Sequence, residues 1–383
     1  MIPMRELVNW LHKRQPALVR LLGRMVEIES PSREKAAVDR FGAMIAAEWR
    51  QRGARVRLLR QRKFGGHVLA DLWLGSGRPK GQLLVLGHLD TVYPLGTLAK
   101  TPFRVAQGRA WGPGVFDMKG GHVIALAAVD ALRALRITPR KKIVCLWTSD
   151  EEIGSATSRR AIESAARQSD AVFVLEPAFG SDGRLKTERK GVGEVELIVT
   201  GRSAHAGIDP ESGVNAVHEL ALQIVRLLKL NDPRRGITVQ ANVIEGGTAT
   251  NVVADHARVL VDLRVVRAAD AVLLNRRLRA LRPILRGAQL EIRGGINRPP
   301  MERTPEAHAL FVHARDLARE MGIALREAST GGGSDGNFTA ALGIPTLDGL
   351  GAGGGGAHSP HEHIMIRSLS ERAALLAGLL ATL

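Results

Sequence analysis

Residues 82–91 read Q-L-L-V-L-G-H-L-D-T. The run 83–86 is unbroken and apolar, the pattern of a strand covered on both faces of a parallel sheet. Gly87 lets the chain turn at its end, and His88 and Asp90 follow two residues apart. In an open α/β sheet, ligands gather at the carboxyl ends of the strands. A histidine there, with an acid close by, suits a metal ligand and the carboxylate that orients it. Taken alone, H-x-D is more often a satisfied structural histidine, so the other strand ends decide.

Residues 111–121 read W-G-P-G-V-F-D-M-K-G-G, with one acid, Asp117, among small residues ahead of an apolar helix at 122–135. Helix capping is the ordinary role of such an aspartate. The apolar run 143–147 is another buried strand, and it delivers Ser149-Asp150-Glu151-Glu152 before a helix beginning near Ser155. Three adjacent carboxylates repel one another unless cations are present; a solvated acidic turn is the alternative. Run 172–175 is one more strand and ends in Glu176. His88, Asp117, Glu151 with Glu152, and Glu176 thus fall at four strand ends and point to a divalent cation site. The chain's one cysteine, Cys145, lies within an apolar strand. The donors must therefore be His, Asp and Glu, a mixed set that favours zinc.

Upstream, residues 1–22 have helical spacing. Ser30-Pro31-Ser32 opens a second helix at about 34–52, with Ser30 or Ser32 as cap, and strands are expected at 55–59 and 67–74. From Gly191 the texture changes. Strand 194–200 is followed by the turn Gly201-Arg202-Ser203-Ala204-His205-Ala206, helix 214–230, strands 237–244 and 257–265, helix 270–285 and a strand at 290–292. This is the split pattern of a small antiparallel α+β (ferredoxin-like) sandwich. Residues 190–298 read as a domain inserted into an α/β domain made of 1–189 and 299–383, whose mixed, mostly parallel sheet lies between helices. Beyond it come helix 305–321 and the loop Gly331-Gly332-Gly333-Ser334-Asp335, which can bring N–H groups close to an anion. A glycine run at 349–356, the tail Ala357-His358-Ser359-Pro360-His361-Glu362-His363 and a helix at 368–380 complete the chain. One of the three tail histidines is expected as a ligand.

At 383 residues the chain can bury a large core. Lys and Arg number 54 against 38 Asp and Glu, a formal net charge of +16, but the arginines are scattered and aromatics make up 4%. That leaves few stacking platforms for nucleic acid, and an arginine-rich surface biased toward anionic substrates is expected instead. No apolar run is long enough for a bilayer. The first 15 residues lack a signal-peptide core, so a cytoplasmic location is expected.

The segments G-H-L-D-T-V, G-V-F-D-M-K-G-G, S-D-E-E-I-G-S, L-E-P, R-S-A-H-A-G, G-G-T-A-T-N-V-V, G-G-G-S-D and A-H-S-P-H-E occur in this order along nearly the whole chain. Together they resemble the dinuclear zinc aminoacylase/carboxypeptidase family, and within it the bacterial glutamate carboxypeptidases. The resemblance implies two Zn2+ per subunit, with Co2+ or Mn2+ as substitutes. His88 and Glu176 would hold one ion, Glu152 and His358 the other, and Asp117, before a cis peptide bond, would bridge them. Asp90 would orient His88, and Glu151 would be the general base. His205, from the inserted dimerisation or lid domain, would reach the partner's active site in a homodimer. Asn251, Arg264 and the loop of Gly332, Gly333 and Ser334 would hold the substrate, and Arg184 falls where glutamate-specific relatives carry a basic residue. Pro360 and His361 alter the spacing around the last ligand, so His361 or His363 could replace His358. Lys119 and Asp150 are expected to be structural. The implied reaction is hydrolysis of the amide joining an acyl or peptidyl group to a C-terminal amino acid. Removal of an N-acyl or N-carbamoyl group is the nearest alternative, and a non-catalytic scaffold a distant one. No nucleic acid or membrane partner is expected.

Overall fold

The computed structural model describes residues 3–383. It divides into two compact units: Met1–Glu188 with Arg303–Ser329 and Ser334–Leu383, and Arg189–Glu302 with Thr330–Gly333.

A six-stranded mixed sheet carries the first unit, in the order Arg55–Leu59, His67–Leu72, Lys142–Thr148, Gln82–His88, Ala171–Val174, Thr346–Leu347. The last four strands are mutually parallel, and the first two are antiparallel additions. Gln82–His88 lies inside the sheet, and all its residues are buried. Leu83 and Val85 point into one apolar cluster, Leu84 and Leu86 into another on the opposite face. Two apolar faces make the run continuous instead of alternating. Each such side chain stabilises the fold by about 1.5–3 kcal/mol.

The larger cluster is roofed by the Gly120–Ala134 and Ile366–Thr382 helices, both buried along most of their length. Ile162 and Phe338 fill the smaller one. Trp147 stacks on Trp49 with ring centroids 6.3 Å apart, and His122 lies 4.3 Å from Trp147. A second, small sheet joins Gly354–Gly355, His363–Met365, Arg109–Trp111 and Arg104–Ala106. It brings the glycine-rich tail against the strand that leads into the Asp117 turn.

Several local expectations are corrected. The helix expected at 1–22 is two, Met4–His12 and Gln15–Val26, with its first two residues outside the described ones. Pro16 sits in the first turn of the second, where its missing N–H costs nothing. Neither Ser30 nor Ser32 caps the Lys35–Gln51 helix, whose N-cap is Glu34 with no side-chain cap. The two hydroxyls donate instead to the Leu89 carbonyl and to Asp90. The acidic turn itself forms a single 3₁₀ turn, Glu151–Ile153, and the helix starts only at Arg159.

The second unit is a four-stranded antiparallel sheet in the order Thr238–Gly246, His256–Val265, Gly191–Thr200, Gln289–Arg298. Buried and less buried residues alternate along Gly191–Thr200 and His256–Val265. Val195, Leu197, Val199, Val259, Val261 and Leu263 pack beneath the Ala216–Leu228 and Ala268–Arg279 helices. Asn215 caps the first of these, accepting from the N–H groups of Val217 and His218. The helix expected to reach 285 stops at Arg279, because Pro283 and its predecessor resist helical continuation. The strand expected at 290–292 runs the full length of its partner. Among the described residues, no helix is long and apolar enough to cross a membrane.

Candidate functional site

His88 closes its strand almost wholly buried and held on three sides. Its carbonyl accepts from His122 Nε2 at 2.7 Å, and its N–H donates to Met118 Sδ at 3.1 Å. Its ring Nδ1 donates to the Asp90 carbonyl at 2.9 Å, with Asp90 Oδ1 at 3.5 Å. With the proton on Nδ1, the neutral ring offers a lone pair at Nε2. That nitrogen faces Asp117 Oδ1 at 3.2 Å and Glu176 Oε1 at 3.5 Å. A lone pair facing carboxylate oxygens is repulsive unless a proton or a metal ion lies between. Burial disfavours the protonated ring, yet Asp117, Asp90 and Glu176 outweigh it and raise the His88 pKa well above 6.5.

Asp117 stands in the irregular turn Val115–Lys119, caps no helix, and precedes a cis peptide bond to Met118. Its Oδ2 lies 3.3 Å from His358 Nε2, which is also 3.3 Å from Glu152 Oε2. One carboxylate thus turns each of its oxygens to a different imidazole. Asp117 and Glu152 push the His358 pKa up to about 10. Burial pushes Glu152 up to about 7. For Asp117, burial is outweighed by His358 and His88, which hold it far below the carboxylate range. Glu152 Oε1 is buried with no hydrogen-bond partner.

These groups fit divalent cations. A tetrahedral ion with ligand bonds of about 2.0–2.1 Å separates its donors by about 3.3 Å, and the imidazole-to-carboxylate distances here run from 3.2 to 3.5 Å. Donor atoms of His88, Glu151 and Glu176, and of His88, Asp117 and Glu152, lie within 4.8 Å of one another. The orphaned Glu152 oxygen is a further acceptor without a cation.

Asp90 acts more widely than H-x-D suggested. Its carboxylate accepts from Ser32 Oγ at 2.7 Å and from the N–H groups of Glu151 and Glu152, both at 3.2 Å. It therefore ties the acidic turn to the His88 strand, while its main-chain carbonyl makes the shorter contact to the ring. Asp150 accepts from the N–H and hydroxyl of Thr157, and Lys119 donates to the Ile28 carbonyl at 2.7 Å. His361 is exposed, and the His363 ring lies 6.1 Å from Trp111 and bonds the His361 carbonyl. It is His358 that meets Asp117 and Glu152.

The residues proposed to hold substrate are placed differently. Arg184 pairs with Asp182 at 2.9 Å and lies over Phe179. Ser334 is fully buried, its hydroxyl donating to Asp348 at 2.6 Å and its N–H to Asn337 at 2.9 Å. The carbonyls of Gly332 and Gly333 both accept from Arg189 Nη1 at 3.0 Å. Arg264 forks onto Asp262, and its Nη1 donates to the Gly331 carbonyl at 3.1 Å. His205 is exposed, and its Nδ1 accepts from the N–H groups of Gly207 and Ile208. This fixes the neutral tautomer with a donor at Nε2. Asn251 is exposed, and its carbonyl accepts from Ala206 N at 2.9 Å. The sequence reading passed over Tyr93 and assigned no role to Glu362, since neither lies in a recognisable ligand spacing.

Comparison with known proteins places this geometry. Residues 84–382 match the family described as Peptidase family M20/M25/M40. The chain is 31% identical over 375 residues to carboxypeptidase G2 of Pseudomonas sp. strain RS-16, covering 96% of this chain and 90% of that protein. It is 29% identical over 322 residues to succinyl-diaminopimelate desuccinylase of Burkholderia vietnamiensis, covering 79% and 84%. Among solved structures, the M20 family metallo-carboxypeptidase Sso-CP2 from Sulfolobus solfataricus superposes with a TM-score of 0.74 at 18% identity, over 95% of this chain and 98% of that one. The fold, the family match and the long alignment to a carboxypeptidase converge: the chain belongs to peptidase family M20/M25/M40 and is a metallopeptidase, a hydrolase.

Proposed function

We propose that the protein is a zinc-dependent hydrolase that cleaves the amide between an acyl or peptidyl group and a C-terminal amino acid. The carrying observation is Asp117, whose Oδ1 faces His88 and whose Oδ2 faces His358. Two ions would be held by His88 and Glu176 on one side and Glu152 and His358 on the other, with Asp117 shared. Bound there, two divalent cations supply Lewis acidity, polarising the scissile carbonyl and acidifying a water. Glu151 takes the proton from that water and returns it to the departing nitrogen, base first and acid second. Its backbone N–H on Asp90 supports this role by anchoring the turn from which its side chain reaches the cluster.

His205, with its proton on Nε2, donates to the oxygen that gains charge. Arg264 receives the free carboxylate of the substrate through its planar fork, exchanging Asp262 for it. That preference makes the enzyme an exopeptidase or an amidohydrolase. The similarity to a desuccinylase favours N-acyl amino acids as a second substrate class. Among released amino acids, glutamate is favoured by the similarity to carboxypeptidase G2.

A homodimer formed through the second unit belongs to the same reading. Val217, Val225 and Leu228 are exposed along one helix, as are Val243 and Ile244 on the neighbouring edge strand. An apolar stripe beside an edge strand is a surface that a second copy can cover, and light scattering on the purified protein tests for it.

The deciding experiment incubates zinc-loaded protein with a panel of N-acyl amino acids and dipeptides, each with a free or amidated C-terminus. Release of the amino acid only from free carboxylates is expected. Equal cleavage of the amidated forms would refute the exo-acting assignment.

A further inference from the structure

Glu362 is 2% exposed, yet the donors around it converge on its carboxylate. Oε1 accepts from the N–H groups of Phe116 at 2.8 Å and Asp117 at 2.9 Å. Oε2 accepts from Gly114 N–H at 3.1 Å and from the Tyr93 hydroxyl, which also lies 3.0 Å from the Ser359 carbonyl. The Glu362 carbonyl accepts from Gly112 N–H at 3.3 Å. The loop 356–362 is tightened by Ser359 N–H to the Gly356 carbonyl and Glu362 N–H to the Ser359 carbonyl. It springs from the paired strands Gly354–Gly355 and His363–Met365. One side chain thus joins three segments: the loop after Asp90, the turn of Asp117 and the loop of His358.

We infer that Glu362 is a positioning residue of the metal centre, holding the Asp117 turn against the His358 loop and so setting the separation of the donors these two share. The inference rests on the proposed ligand set. A carboxylate is required because every neighbour is a donor. Glutamine in its place would keep the shape but aim an NH2 group at backbone N–H groups, losing acceptors and opposing donor to donor.

The test uses full-length protein stripped by a chelator and titrated with Co2+, followed by calorimetry. The chain has a single tyrosine, so 3-fluorotyrosine places one fluorine label at Tyr93. His358→Ala first identifies the binding event that depends on His358; its failure to remove one would count against the ligand assignment, not the role of Glu362. In Glu362→Gln that same event is expected to weaken roughly 10–100-fold, the usual consequence of removing a group that orients ligands, and by more than the other event, which also draws on Asp117. The fluorine resonance should already be displaced in the metal-free variant and should no longer follow the weakened event. Tyr93→Phe, which removes the hydroxyl shared between Glu362 and the Ser359 carbonyl, should weaken the same event about 2- to 10-fold, and this variant decides the matter if Glu362→Gln does not fold. Wild-type affinity for both ions in a folded Glu362→Gln, or in Tyr93→Phe when that variant decides, would overturn the inference.

Discussion

Asp117 Oδ2 lies 3.3 Å from His358 Nε2, although the entire second unit is threaded between them in sequence. With His88 at its other oxygen, Asp117 touches both imidazoles. Asp117→Ala is therefore expected to lose one or both ions, bringing the metal content down from about two per chain. Elemental analysis after gel filtration reads this, and full retention would remove Asp117 from the bridging position.

Glu151 is assigned to proton transfer. Glu151→Ala should keep its metal content and melting temperature but lose roughly 10²–10⁴ in turnover. Unchanged turnover would exclude it as the base, and lost metal would make it a ligand instead.

His205 offers a hydrogen-bond donor at Nε2 because its Nδ1 is occupied by two N–H groups. His205→Ala should lower kcat by about 10²–10³, the scale of a donor to a developing oxyanion, with metal content and KM little changed. Full activity in that variant would place His205 outside the site.

His122 gives a pH-dependent stability. Burial lowers its pKa to about 3, although its bond to the His88 carbonyl opposes the shift. The unfolded chain takes up a proton below about 6.5 that the folded protein refuses, so stability falls as pH drops through that window toward 3. Between pH 7 and 5 this group alone should remove about 2 kcal/mol. Urea unfolding of chelator-treated wild type and His122→Gln over that range should show a shallower loss in the variant. Parallel curves would contradict the assignment.

The parallel sheet was legible because its strands are apolar on both faces, as at Leu83–Leu86, and because polar residues at the strand ends stand out against that background. The second unit was legible through alternation, as along Gly191–Thr200. The small sheet was not. Arg104–Ala106, Arg109–Trp111, Gly354–Gly355 and His363–Met365 are two or three residues long and partly glycine, too short to show a period. The hydroxyls of Ser30 and Ser32 have good caps' chemistry, yet tertiary partners at Leu89 and Asp90 outbid the local use. The G-G-G-S-D segment resembles an anion loop, but Ser334 is satisfied by Asp348, a neighbour no local window reveals. Of the candidate site, residue types at strand ends were readable, whereas Glu362 draws its partners from Gly114, Phe116, Asp117 and Tyr93, all far away in sequence.

The order of the chain also bears on how the enzyme is made. His88 emerges from the ribosome well before His358, and the tail hairpin must still form its pairs with Arg109–Trp111. Under the proposed ligand set, a polypeptide that stops before residue 358 lacks one of its five ligands, and hydrolytic power arrives only once the His358 loop has been made. Growing chains and fragments clipped before that tail are thereby inert toward the peptides around them.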